Sequence, residues 1–382
     1  MPAVQNFTTV SEQSESNAPP LPHGKLNVVQ GLRAVAALFV VWTHSIDAAA
    51  TFTPTRQAGF FHLAGFGASG LDIFFVISGF IVSLVATRSV EKNQHSAGTF
   101  LSRRFTRIFP LYWILTLVVI AEAELGSHTI PWHSVSWLPT AWLRPSLSYP
   151  AASPILSLGW SLVFEMYFYY ILAVWMAIQP RHLVRNTIVS LSAMVALGAS
   201  VGLHHPLVII WSNPILLEFL FGCVIGHIYT HSNKNPTPAS RTVGLWLTVM
   251  GTAALVATLF TGYGTINLEG MVLNGLSSWQ RVGLWGVPSA LLVLGAVLWR
   301  PAMRSLPARL LVFLGDASYS IYLCTTPARS LVEHFWRFFG QWDGDVGVLL
   351  CGAACILVGV VCYLLVERPL MRFFHNWYKP LP

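Results

Sequence analysis

The chain has 382 residues, of which hydrophobic types make up 54% and Asp, Glu, Lys and Arg only 10%, and its mean hydropathy is +0.60. A water-soluble domain spends about a quarter of its residues on charge, so this composition excludes a soluble enzyme and a disordered protein. The formal charge of +7 does not make a nucleic-acid binder, because the cations stand singly between apolar runs instead of forming a basic face.

Residues 1–25 are rich in Ser, Pro and Glu and carry no Lys or Arg before Lys25. They lack the basic start and short apolar core of a signal peptide, and are expected to be a disordered cytoplasmic tail. Spanning the hydrocarbon core takes about 20 mostly apolar residues. Such runs fall at about 27–49, 65–87, 107–125, 157–178, 186–203, 206–230, 242–262, 281–299, 310–334 and 346–366. The expected fold is therefore all-α, a polytopic bundle of about ten transmembrane helices within residues 26–370, followed by a short cytoplasmic tail at 371–382. The longest connector, 126–156, has the Pro and Trp content of an interfacial loop. With the N-terminus inside, 16 of the 22 Lys and Arg residues fall on cytoplasmic segments, which places both termini in the cytoplasm. The five cysteines all lie in apolar stretches and show neither a disulfide nor a metal-ligand spacing.

Ionisable side chains inside spans are costly, so each is a functional candidate. The first span carries Arg33 and His44. Their spacing returns to nearly the same helix face and separates them by roughly 16 Å along the axis. Counted inward from the outer face, Asp72 of the second span and Glu165 of the fourth are expected level with His44. Arg104 and Arg107 share a face at the cytoplasmic mouth of the third span. The pattern predicts an imidazole with carboxylates in the outer half and guanidiniums in the inner half. Imidazole is the usual general base near neutral pH, and arginine forks suit phosphate. A phosphate-bearing donor held from the cytoplasm, its reactive end reaching the outer half, fits both halves; acyl-CoA has the required length, and a lipid phosphate fits the same geometry. Asp47 either orients His44 or faces the interface, and Glu218 sits mid-span with no partner evident in the sequence. There is no P-loop, HExxH, GxSxG or dinucleotide-binding glycine pattern, so no resident cofactor and no metal are expected.

Six segments in order resemble the membrane-bound acyltransferase 3 family of bacterial exopolysaccharide and O-antigen modification. They are Gly31-Leu-Arg33 running on to His44; Gly70-Leu-Asp72 to Ser78-Gly79-Phe80; Arg103-Arg104-Phe-Thr-Arg107; Trp160-Ser161 to Glu165 and Tyr169; Asp316-Ala-Ser318-Tyr319 to Tyr322; and Glu367-Arg368-Pro369. The resemblance implies a multi-pass enzyme of the bacterial inner membrane. It would move an acyl group, commonly acetyl, from cytoplasmic acyl-CoA to a hydroxyl of an exported polysaccharide, bacterial cellulose among the candidates, or of its lipid-linked precursor. It implies that His44 is the catalytic histidine, that Arg33, Arg104 and Arg107 engage CoA, that Ser78 lines the conduit and that Glu165 sits in the outer site. Membrane lipid and a polysaccharide synthase complex are the expected partners. One departure concerns the acceptor side: where the family often has a histidine after the Ser-Tyr-Ser-Ile-Tyr-Leu segment, this chain has Cys324-Thr325. Two other readings use the same charges, a flippase for a lipid-linked sugar and a non-catalytic membrane component of a synthase complex.

Overall fold

A computed structural model describes residues 27–52, 60, 63, 65–92, 96–125, 141–143, 154–201, 206–231, 237–261, 272, 275, 277–339 and 344–377. The expected tail at 1–25, most of the 126–156 connector and the last five residues lie outside the described residues. The described chain is helical throughout: α1 Asn27–Phe52, α2 Gly70–Glu91, α3 Ala97–Glu124, α4 Gly159–Ile178, α5 Leu183–Val201, α6 Pro206–Trp211, α7 Leu216–His231 and α8 Pro238–Ala257. After these, α9 Ser278–Arg281 runs through a π segment, Val282–Gly286, into α10 Val287–Trp299, followed by α11 Leu306–Asp316 and α12 Ser318–Phe339. Finally α13 Gly344–Cys362 continues through a second π segment, Tyr363–Glu367, into α14 Arg368–Trp377.

Nine helical stretches among the described residues are long and apolar enough to cross a membrane. The expected run at 310–334 is not among them, because it divides at Ala317 into α11 and α12. α12 carries Pro327, Arg329, Glu333 and His334, which lower its hydropathy. At 22 residues it is still about 33 Å long, and it runs beside the second half of α1. Ile321 clusters with Ala37 and Val41, and Trp336 reaches Gly347, which itself packs on Ala49. With α12 counted, ten helical stretches among the described residues are long enough to cross. The sixth expected run is also broken: α6 stops before Asn213, whose side chain caps Ile215 N (3.1 Å) and donates to Val272 O (2.8 Å). Residues from 368 onward, expected as a tail from 371, are helical to Trp377.

Backbone contacts at glycines set the register between helices. A Cβ on Gly222 of α7 would lie 2.1 Å from the Val76 carbonyl, and one on Gly79 of α2 would lie 2.0 Å from that of Phe219. Small residues at such points let membrane helices approach backbone to backbone. The same kind of contact places Gly70 of α2 on the Ala36 carbonyl of α1, and Gly315 of α11 on that of Gln30. The first turns of α1 and the end of α11 therefore share one depth, and α2 begins part-way down α1.

Candidate active site

Five helices close around a cavity of about 120 Å³ in the half of the bundle nearer the start of α1. α1 contributes Arg33, α2 Ser78, α3 Arg104 and Arg107, α4 Ser161, Glu165 and Tyr169, and the start of α12 adds Ser318, Tyr319 and Tyr322. On each helix the lining residues recur at three- and four-residue spacing, as one face requires. Arg104 lies between two rings, its guanidinium 5.6 Å from the centroid of Phe100 and 5.7 Å from that of Tyr169. The Tyr169 hydroxyl donates to Glu165 Oε1, which also accepts from Ser78 Oγ at 2.8 Å. Tyr319 is tied by its hydroxyl to Ile108 O (2.8 Å). Two buried polar atoms on the cavity wall, Arg104 Nε and Ser318 Oγ, have no hydrogen-bond partner among the described residues. A buried donor left without a partner costs about 1–3 kcal/mol, so the wall is built to be satisfied by something that enters.

His44 is not among the residues lining this cavity. It stands higher on α1, 30% exposed, with Nδ1 3.7 Å from Asp47 Oδ2, within ion-pair range but beyond a hydrogen bond. Arg329 of α12 acts electrostatically on both side chains and is itself paired with Glu333 through Nε and Oε1 at 2.6 Å. The outer shelf is thus His44, Asp47, Arg329 and Glu333.

The fold corrects the expected level grouping of His44, Asp72 and Glu165. Because α2 starts with Gly70 at the depth of Ala36, Asp72 lies about 15 Å below His44 along the axis of α1. There it is fully buried and paired with Arg281, Nε to Oδ1 at 3.0 Å and Nη2 to Oδ2 at 2.8 Å. Glu165 is likewise deeper than expected. Gly159, at the start of α4, packs on Tyr112 of α3, eight residues above Arg104. Six residues further along α4, Glu165 has descended to the arginines. The carboxylate beside His44 is Asp47.

Arg33, Arg104, Arg107 and Ser78 do converge as expected, and Glu165 joins them. Tyr169, Ser161, Ser318, Tyr319 and Tyr322 had no assigned role in the sequence. Their signal was helical spacing: Ser161, Glu165 and Tyr169 at steps of four, and Ser318 and Tyr322 likewise. Glu218 gains a setting: it abuts Asp72 and Arg281, and Gly286 in the π segment leaves it room, since a Cβ there would sit 2.8 Å from Glu218 Oε1. Thr325, standing where the family often has histidine, is 1% exposed and returns its hydroxyl to Ile321 O at 2.9 Å. It does not line the cavity.

The profile of the acyltransferase domain, the acyltransferase 3 family, matches residues 26–367. The chain is 30% identical to the exopolysaccharide production protein ExoZ of Rhizobium meliloti, across 80% of this chain and 90% of ExoZ. It is 25% identical to the acyltransferase MdmB of Streptomyces mycarofaciens, across 91% of this chain and 92% of MdmB. To the peptidoglycan O-acetyltransferase OatA of Listeria monocytogenes it is 23% identical, across 92% of this chain but only 57% of OatA, so it spans little more than half of that relative. No solved structure matches it significantly. The helical bundle with its nine membrane-length stretches among the described residues, the arginine cavity beneath His44 and the match along nearly the whole chain lead to one conclusion: the protein belongs to the acyltransferase 3 family and is a multi-pass membrane acyltransferase.

Proposed function

We propose that the protein transfers an acyl group, acetyl in the first instance, from cytoplasmic acyl-CoA to a hydroxyl of an exported polysaccharide or its lipid-linked precursor, in a bacterial inner membrane with both chain ends in the cytoplasm. The observation that carries this reading is the cavity lined by Arg33, Arg104 and Arg107, with Arg104 Nε and Ser318 Oγ unpartnered. Guanidinium forks suit the donor's phosphates, and the two unpartnered groups suit its amide-bearing arm. The polysaccharide acceptor is carried over from the names of ExoZ and OatA.

Acyl-CoA is a substrate here, and the residues divide the work. Arg104, clasped between aromatic rings, grips phosphate, with Glu165 a positioning residue that holds Tyr169 against it. Ser78 holds Glu165 in turn. His44 accepts the proton of the acceptor hydroxyl as its oxygen bonds to the thioester carbonyl carbon. The carbon–sulfur bond then breaks, and the thiolate recovers the proton from the imidazolium, which Asp47 stabilises. Asp72 acts through the fold, as the partner of Arg281.

The test is His44→Ala in cells that display the polysaccharide, with purified protein checked for CoA binding. The expected result is loss of ester groups with CoA binding retained. Normal acylation by the folded variant removes His44 from the mechanism. A wild-type protein that binds no CoA returns the flippase and scaffold readings to first place.

A further inference from the structure

The arginine cavity stops short of His44, which is not among its lining residues. On the cavity wall, among the described residues, stand Phe74 of α2 and Tyr322 of α12, whose rings meet edge-on with centroids 6.0 Å apart. The Tyr322 hydroxyl is pinned twice at the entry of α4, donating to Leu158 O at 2.8 Å and lying 2.8 Å from Ser161 Oγ. Tyr322 is 5% exposed and so has little freedom to swing aside. Its depth follows from the run of α12 along α1: its neighbour Ile321 packs with Ala37 and Val41, while Arg329, two turns further on, reaches the charges of His44 and Asp47. Tyr322 therefore lies above Arg33 and below His44.

We infer that Phe74 and Tyr322 form a roof that selects the acyl group by size. This rests on the reading of the cavity as the donor site. A thioester held from below must carry its acyl group past the ring pair to meet an acceptor at His44, and the side chains there, Leu71, Phe74 and Tyr322, present apolar surface packed against the core. In such a wall each additional methylene costs roughly tenfold or more. Acetyl passes with a small separation of the rings, and longer chains do not. Tyr322 and Phe74 are specificity-determining residues, and the tether to Leu158 and Ser161 sets how far the roof opens.

The experiment supplies membranes containing the protein with acetyl-, butyryl- or hexanoyl-CoA, and with de-esterified polysaccharide from cells lacking the protein. Ester formation is read by mass spectrometry. The wild type is expected to transfer butyryl at least about 100-fold more slowly than acetyl, two methylenes at roughly tenfold each. Tyr322→Ala and Phe74→Ala should bring that ratio within about tenfold. Tyr322→Phe, which keeps the ring and loses the tether, should fall between; with Phe74→Leu it serves if the alanine variants do not fold. Equal transfer of acetyl and hexanoyl by the wild type overturns the roof, and so does an unchanged chain-length profile in variants that still transfer acetyl. A variant that binds CoA but transfers nothing also overturns it, by placing the ring in the chemistry itself. Binding of CoA without an acyl group is measured alongside by thermal shift; its absence in the wild type sinks the donor-site reading and leaves the roof without a function.

Discussion

The bundle buries guanidiniums in two places and treats them in opposite ways. At the crossing of α2, α7 and the π segment before α10, Arg281 is matched to Asp72 through two hydrogen bonds, gives a third to Ala68 O at 2.9 Å, and lies 5.1 Å from the Trp285 centroid. Gly286 removes the side chain that would crowd Glu218 there. In the cavity the arginines surround open space, and Arg104 is held by rings while its Nε stays unpartnered. A buried ion that is fully paired contributes to a single arrangement of the helices and is costly to break. One that is half-satisfied costs stability and is kept for what enters beside it. The residue type is the same and the pairing differs, and on the proposed function that difference separates a structural charge from a binding one.

The comparison is broken most directly by deleting each arginine and reading stability apart from affinity. Arg281→Ala leaves the Asp72 carboxylate buried without its cation and should cost about 3–5 kcal/mol, seen as a large drop in unfolding temperature in detergent. Adding Asp72→Asn should recover part of the loss, because the two residues are directly coupled. An Arg281→Ala protein as stable as the wild type would falsify the structural assignment. Arg104→Ala should leave the unfolding temperature nearly unchanged and raise the KM for acyl-CoA about 10- to 100-fold, as loss of hydrogen bonds to a charged ligand predicts. A fall in stability without a change in KM would move Arg104 into the structural class.

Two smaller effects sharpen the contrast. Gly286→Ala places a methyl 2.8 Å from Glu218 Oε1 and should destabilise by about 1–3 kcal/mol, with the chain-length preference for acyl donors unaltered. Tyr319→Phe gives up one hydrogen bond to Ile108 O, worth about 1 kcal/mol. Since Tyr319 lines the cavity, its loss should appear in donor affinity as well as in stability.

Much of the architecture was legible in the chain because its causes are local. Apolar runs of membrane length mark where helices form, and the arginines of α3 share a face through their spacing alone. Two runs were misjudged as continuous. Asn213 and Pro214 interrupt the helix within the sixth span, the Asn213 side chain accepting from Ile215 N at the restart, and the division at Ala317 separates α11 from a crossing helix too polar to register by hydropathy. The pairing of His44 with a carboxylate depended on depth, and there the reading from sequence went astray: Asp72 and Glu165 were counted inward from the membrane surface, yet α2 starts beside Ala36 and α4 starts beside Tyr112.

The amino-acid sequence by itself determined that this is a helical membrane protein and that Arg33, Arg104 and Arg107 belong together. Composition, periodicity and the spacing of charges act over one or two turns and are written in the order of residues. The tertiary structure alone decided the relative depths. Backbone contacts at Gly70, Gly79 and Gly222, and the packing of Gly159 on Tyr112, slide whole helices by two turns or more without changing any local pattern. That sliding gives Asp72 to Arg281, puts Glu165 among the arginines, and sets Phe74 against Tyr322 beneath His44.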